Sequence, residues 1–325
     1  MQSNKIWAYL IHLSDNMWTD EVCPNGRNSI GNTARGFSET LRCDYDTWRQ
    51  VIDFLPSQGF NTVLIDVGDA VQYDSHPEIS LPGAWSKDKL REELRHMRSI
   101  GLTPIPKLNF STCHDAWLKE YGHIVSTPKY YEVCEDLIKE VAELFDYPAL
   151  FHLGMDEENA EMQKSFKYCV IRQQDLWWHD LYFFFDVCAK VGARPWVWSD
   201  AVWTYFEKQD IFLKKMPKSV LQSNWWYRDL RYDRHGNISD FRYAAYMTLD
   251  ENGYEQVPTG SVCWGCAPNV EQTMELCKNR CDDSRILGYM TAPWRVTYKD
   301  ELYGLMYDAA CFGRAKRHIY PEYCK

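Results

Sequence analysis

The stretch Pro128–Glu158, PKYYEVCEDLIKEVAELFDYPALFHLGMDEE, decides the reading of the fold. Its first part opens on Pro and carries apolar residues near i, i+3, i+4 and i+7, which predicts an amphipathic helix over 128–145. A short apolar run then reaches Gly154 and ends on three consecutive acids, Asp156, Glu157 and Glu158. A helix, a turn and a strand with a polar end form the repeating unit of a parallel α/β sheet.

That unit recurs from end to end. Strand-like runs are read at 6–15, 62–69, 103–109, 149–158, 194–200, 219–226, 261–266 (SVCWGC) and 286–294, and further helices at 44–55, 87–100 and 173–191. Several of the amphipathic stretches stop at glycine, as at Gly59, Gly101 and Gly192. Eight strands alternating with helices, without a GxGxxG opening, predict an α/β fold, a single-domain (β/α)8 TIM barrel over residues 1–325. An open, doubly wound sheet is the alternative. The connection Arg228–Asp240 is expected to be a loop on the active face.

The chain has 325 residues, 45% hydrophobic and 25% charged, which suits a globular protein with a sizeable core. Its 46 acids against 36 Lys and Arg, with no basic stripe, argue against nucleic acid or an anionic membrane as partner. No apolar stretch approaches the ~20 residues of a membrane span. The N-terminus does not resemble a signal peptide, and a cytoplasmic location is expected. The twelve cysteines are spread through strands and helices and read as buried thiols in a reducing compartment.

In barrel enzymes the site lies at the C-terminal strand ends. Here those ends carry Asp15, Asp66 and Asp69, Asn109, Asp156 to Glu158, Asp200, Asn224, Trp264 and Trp294. Asp and Asn also form turns, but six successive ends bearing an acid or amide exceed what loop stops require. Trp198, Trp203, Trp225, Trp226, Trp264 and Trp294 gather at the last four ends, where flat apolar faces with a polar N–H suit sugar rings. Trp48, Trp177 and Trp178, on helix faces, read as core. Crowded acids cannot all ionise cheaply, so one of the strand-four carboxyls should keep its proton beside one that stays anionic. Glycoside cleavage requires that division.

These residues carry a resemblance. His152-Leu153-Gly154-Met155-Asp156-Glu157 resembles the H-x-G-G-D-E strand-four motif of family-20 glycoside hydrolases, the β-N-acetylhexosaminidases. Trp196–Asp200 is similar to that family's W-x-E strand-five end, Leu221–Trp225 to its V-Q-x-W strand six, and Gly288–Trp294 to its strand-eight run. The resemblance implies substrate-assisted, retaining hydrolysis of an N-acetylhexosaminide. Asp156 and Glu157 would be catalytic, Glu157 as general acid/base and Asp156 orienting the 2-acetamido group. No cofactor and no metal is implied, and the expected partner is a carbohydrate. The candidate substrate-binding residues are Asp15, Asp66, Asn109, His114, His152, Trp198, Asp200, Trp225, Tyr227, Trp264 and Trp294. Met155 stands where the family has its second glycine, and Asn109–His114 replaces its acidic turn after strand three.

Other readings stay open. A metal-dependent barrel hydrolase needs clustered ligands, whereas His12 stands alone on strand one and no HxH or HExxH occurs. Cys263, Cys266, Cys277 and Cys281 have pair spacings that also fit a structural zinc site. A non-catalytic sugar-binding barrel would share the pocket. Tyr289 is a possible acetamide partner, His76 and His114 are loop histidines, and Arg228, Arg231 and Arg234 read as a solvated charge run.

Overall fold

Strand parity organises the molecule. In β1 (Ile6–His12), Trp7, Tyr9 and Ile11 join the large apolar layer under the helices, while Ala8 and Leu10 join a second, smaller cluster. That cluster also takes Leu64 from β2 (Thr62–Asp66), Ile105 from β3 (Thr103–Lys107), Trp196 and Trp198 from β5 (Arg194–Trp198), Leu221 from β6 (Leu221–Ser223) and Met290 from β8 (Gly288–Thr291). One cluster fills the inside of a closed ring and the other lies between ring and helices, as alternate side chains of a parallel barrel require.

All pairings are parallel, and the strand order runs β6-β5-β4-β3-β2-β1-β8-β7, with β4 at Leu150–His152 and β7 at Thr259–Gly260. The ring closes between β6 and the segment entering β7, where Val257 N–H donates to Gln222 O at 2.8 Å and Thr259 N–H to Asn224 O at 2.9 Å. The fold is a (β/α)8 barrel. It is a computed structural model that describes residues 5–22, 36–204 and 209–324. Among these, no helix is long and apolar enough to cross a membrane.

The four helices that the apolar period predicts all form, as the first four in chain order, and among the described residues five further α-helices follow them. α1 (Tyr45–Phe54), α2 (Lys87–Ser99) and α3 (Pro128–Leu144) are capped by the side chains of Asp44, Ser86 and Thr127, each accepting from an otherwise orphaned backbone N–H. α4 (Asp175–Lys190) follows, then α5 (Ala201–Thr204), α6 (Gln209–Lys215), α7 (Phe241–Glu251), α8 (Asn269–Arg280) and α9 (Leu302–Ile319).

Strand seven departs from the sequence reading. Ser261–Cys266 is a set of turns, and the pairing is made earlier, through Gln256–Gly260. Pro258 disguises that segment as a loop, yet here it acts only as an acceptor, its carbonyl taking the Met290 N–H at 3.0 Å. Prolines 104 and 106 in β3 obey the same logic. Their missing donors face β4, which pairs with β3 only at Lys107 and His152.

Candidate active site

The register that closes the barrel also builds the floor of the site. It places His12 beside Asp66, Asp66 beside Lys107, and Lys107 beside His152. Parity turns all four inward above the apolar plug. Lys107 Nζ lies 2.5 Å from Asp66 Oδ2, and His12 Nδ1 lies 3.3 Å from the same oxygen. Burial alone would raise the Asp66 carboxyl, but the Lys107 and His12 partners hold it below the usual range. Burial, with Lys107 nearby, drives the His152 imidazole well below its ordinary value. It is therefore neutral, and its Nδ1 accepts the Gly154 N–H at 3.0 Å.

From that floor the chain climbs through a tight turn. Gly154, Met155 and Glu157 have φ of 71°, 73° and 55°, the left-handed region. Gly154 is required: a Cβ there would lie 1.9 Å from Asn109 Oδ1. Met155 adopts a conformation that glycine prefers, held by its N–H donating to Asn109 Oδ1 at 3.2 Å. The Glu157 N–H donates to Asp200 Oδ2 at 2.8 Å. Two non-glycine residues in this region store strain that neighbouring hydrogen bonds must offset, a pattern concentrated at functional sites.

The turn aims Asp156 and Glu157 differently. Asp156 is 4% exposed and accepts from Asn109 Nδ2 at 2.9 Å, while the Glu157 side chain keeps 26% of its surface. His114 Nε2 lies 3.3 Å from a carboxylate oxygen of each. Burial opposes charge on His114 and Asp156, yet the ion pairing wins: His114 is raised to about 10 and Asp156 lowered to about 2. Behind them, burial and then the Asp156 charge push Asp200 up to about 8, so it keeps its proton near neutrality. Glu158 turns away to the buried Arg172, which also pairs with Asp180 at 3.2 Å. The third acid of the run is thus structural.

Above the pair opens a cavity of about 380 Å³, at the small end of ligand pockets. Its walls are Met17, Trp18, Asn109, His114, Met162, Trp203, Trp225, Trp226, Tyr227, Arg228, Arg242, Trp264 and Trp294. Of the candidates, Asn109, His114, Asp156, Glu157, Trp225, Tyr227, Trp264 and Trp294 line it. Asp15, Asp66, His152, Trp198 and Asp200 do not. Asp15 pairs with Arg42, Asp66 and His152 form the floor, Trp198 packs between His152 and Trp294, and Asp200 anchors the Glu157 backbone. Tyr289 lies outside the ring, its hydroxyl 2.6 Å from that of Tyr320, because Met290 takes the inward position. His76 pairs with Glu78 and Asp136 instead of reaching the cavity.

Met17, Trp18, Met162, Arg228 and Arg242 join the walls without having been singled out as site residues. Met17, Trp18 and Arg228 sit on loops, where no periodicity marks an inward face, and Arg228 stands in an apparent charge run; Met162 opens a one-turn 3-10 helix and Arg242 lies in the first turn of a helix the sequence reading did not mark. Trp18, three residues beyond the acid that ends the first strand-like run, carried the one usable signal, an aromatic just past a strand end.

Zinc at the cysteines is not supported. Cys266 Sγ contacts Asp229 Oδ1 at 2.9 Å, Cys263 faces the Ala292 carbonyl, and among the described residues no ligand cluster includes a cysteine. The cluster of metal-binding type is His114, Asp156 and Glu157, whose ligand atoms lie within 4.8 Å of one another. A cation there must first displace the proton that the two carboxylates hold on His114.

No protein-family model matches the chain, and no curated protein matches its sequence. Solved structures do match. A GH20 exo-β-N-acetylglucosaminidase from Vibrio harveyi aligns with a TM-score of 0.63 at 14% identity, over 99% of this chain and 56% of that one. The GH20 β-N-acetylhexosaminidase of Streptomyces coelicolor A3(2) aligns with a TM-score of 0.63 at 14% identity, over 96% and 64%. The β-hexosaminidase of Streptomyces plicatus gives 0.61 at 14%, over 96% and 64%. The chain thus spans between about half and two thirds of these proteins' length. By fold, it is a divergent barrel of the kind found in the family-20 β-N-acetylhexosaminidases.

Proposed function

We propose that the protein is a retaining, substrate-assisted glycosidase, an exo-β-N-acetylhexosaminidase in type, with Glu157 as general acid/base and Asp156 orienting the 2-acetamido group. The observation that carries this reading is the unequal treatment of two neighbouring carboxylates. Asp156 is buried and held anionic by His114 and Asn109, while Glu157 keeps exposed surface at the cavity.

In the first step Glu157 protonates the glycosidic oxygen as its bond to the anomeric carbon breaks. The acetamide carbonyl oxygen attacks that carbon from the opposite face. Asp156 accepts a hydrogen bond from the acetamide N–H and balances the positive charge of the oxazolinium. Water then attacks the same carbon, displacing the acetamide oxygen and so opening the oxazolinium, and gives its proton to Glu157, so two inversions retain configuration. Two observations favour a retaining over an inverting course. Asp156 and Glu157 are the only acids lining the cavity among the described residues. Their nearest oxygens lie within 4.8 Å, short of the ~6.5–9.5 Å that an inverting pair leaves for water. Six tryptophans around a small cavity suit the apolar face of a sugar ring. Related support comes from the V. harveyi enzyme, which has been solved with N-acetylglucosamine.

The test is a panel of chromogenic β-glycosides with and without a 2-acetamido group, run beside a thiazoline that mimics the oxazolinium. Turnover confined to acetamido sugars with thiazoline inhibition is expected. Turnover of plain glycosides without that inhibition would overturn the mechanism, and tight binding with no turnover would leave a sugar-binding barrel.

A further inference from the structure

Two arginines at the cavity have no place in that mechanism. Apart from His114, Arg228 and Arg242 are the only cations on its wall among the described residues, and both come from the connection between β6 and the first turn of α7. The protein carries a net charge of −10, so a cation with no function should find a carboxylate with ease. Arg228 is exposed and has no ion pair among the described residues. Arg242 is fixed. Its Nε and Nη2 donate to Asp240 at 2.8 and 2.9 Å, and its guanidinium lies 3.3 Å over the Trp226 ring. Among the described residues those bonds leave Nη1 unspent, and they hold its direction.

Resting on the function proposed above, we infer that the preferred saccharide carries an anionic substituent, a sulfate ester or a carboxylate, bound by Arg228 and Arg242. A guanidinium fork fits the paired oxygens of either group, and a preset arginine loses little freedom on binding. Asp156 and Glu157 repel an anion at the deep end of the cavity. The charged group therefore lies on the side of the β6–α7 connection, on the outer part of the bound ring or on the neighbouring sugar. Stacking on Trp226 makes Arg242 the rigid partner, and Arg228 is free to close on the ligand.

The experiment uses full-length Glu157→Gln protein, so that ligands are not consumed, and titration calorimetry at low salt. The probes are N-acetylglucosamine, N-acetylglucosamine 6-sulfate, and N-acetylglucosamine β-linked to glucuronate; the last two separate sulfate from carboxylate. At least one anionic probe should bind about 10-fold tighter than the neutral sugar, as a charge-assisted contact allows, and the margin should shrink with salt. Adding Arg228→Gln should remove most of that margin, and Arg228→Lys should recover only part of it. Equal or weaker binding of both anions, or a margin that survives Arg228→Gln and Arg242→Gln, overturns the inference while the proposed function stands. Failure of all three probes to bind overturns both.

Discussion

Replacing Gly154 by Ala should damage the site through Asn109, and the size of the effect follows from the geometry. The added Cβ would lie 1.9 Å from Asn109 Oδ1 and 2.8 Å from its Cα, so side-chain rotation alone cannot relieve the clash. Asn109 would have to give up its bonds from Met155 N and Ser111 N and its bond to Asp156 Oδ1. At ~1 kcal/mol for each lost bond, and ~1 kcal/mol for Ala in the left-handed region, the loss is about 4 kcal/mol. That is a large part of the ~5–15 kcal/mol that holds a typical protein folded. Gly101→Ala is the control, because Gly101 has φ +85° with nothing within 4 Å of its Cβ, and it should lose only the backbone share. Urea unfolding of both variants, with turnover of a chromogenic N-acetylglucosaminide alongside, separates the contributions. If Gly154→Ala lost no more stability than Gly101→Ala and kept its turnover, Asn109 would not be the strut that aims Asp156.

Glu157→Gln should lower kcat by ~10²–10⁴ with little change in sugar affinity; an unchanged rate would remove it as the acid. Arg172→Met strands the buried carboxylates of Glu158 and Asp180 and should cost about 3–5 kcal/mol, read from the urea midpoint. Stability should also fall as pH rises from about 4 to 8. Burial raises Asp115 and Asp200 to about 8, Asp15 to about 7 and Asp69 to about 6. A carboxyl raised on folding contributes stability that is complete below its unfolded value and lost as pH climbs through the folded one. His114, raised to about 10, extends the same loss upward, while Asp156, lowered to about 2, contributes stability above its ordinary value that is lost only towards pH 2. Unfolding midpoints should therefore be higher at pH 5 than at pH 8, and the reverse order would show that these acids are ionised in the folded state.

What could be read from sequence depended on whether a residue's position was set by a period or by contacts distant in the chain. The first four helices and seven of the strands follow from periodic apolar runs, whereas the helices after β5 were not marked in the sequence reading. Strand seven does not, because a two-residue strand led by Pro258 carries no such run and is recognisable only from its partners in β6 and β8. Parity also explains Tyr289. Once Met290 faces inward, its neighbour must face the helices, so that residue could have been excluded as a sugar contact from the alternation within Gly288–Thr291.

The acids at the cavity were legible for a different reason: three adjacent acids on a strand end are rare enough to need an explanation. Which acid would do what was implied only by the family resemblance, not by the residues themselves. The chain order Asp156, Glu157, Glu158 is neutral, and their different surroundings come from His114, Asn109, Asp200 and Arg172, contributed by three other segments of the chain. The three acids are separated by backbone torsion. The left-handed turn at Gly154, Met155 and Glu157 sends successive side chains in directions that a regular strand would not allow. Asp156 then meets a cation, Glu157 reaches the cavity and Glu158 reaches a buried guanidinium. Met155, which breaks the family's glycine pair, is consistent with this account, since it keeps the glycine-like torsion and is held in it by Asn109. The geometry that a second glycine would permit is therefore imposed by a neighbouring strand, and the aim of Asp156 and Glu157 depends on the β3–β4 contact as much as on the motif itself.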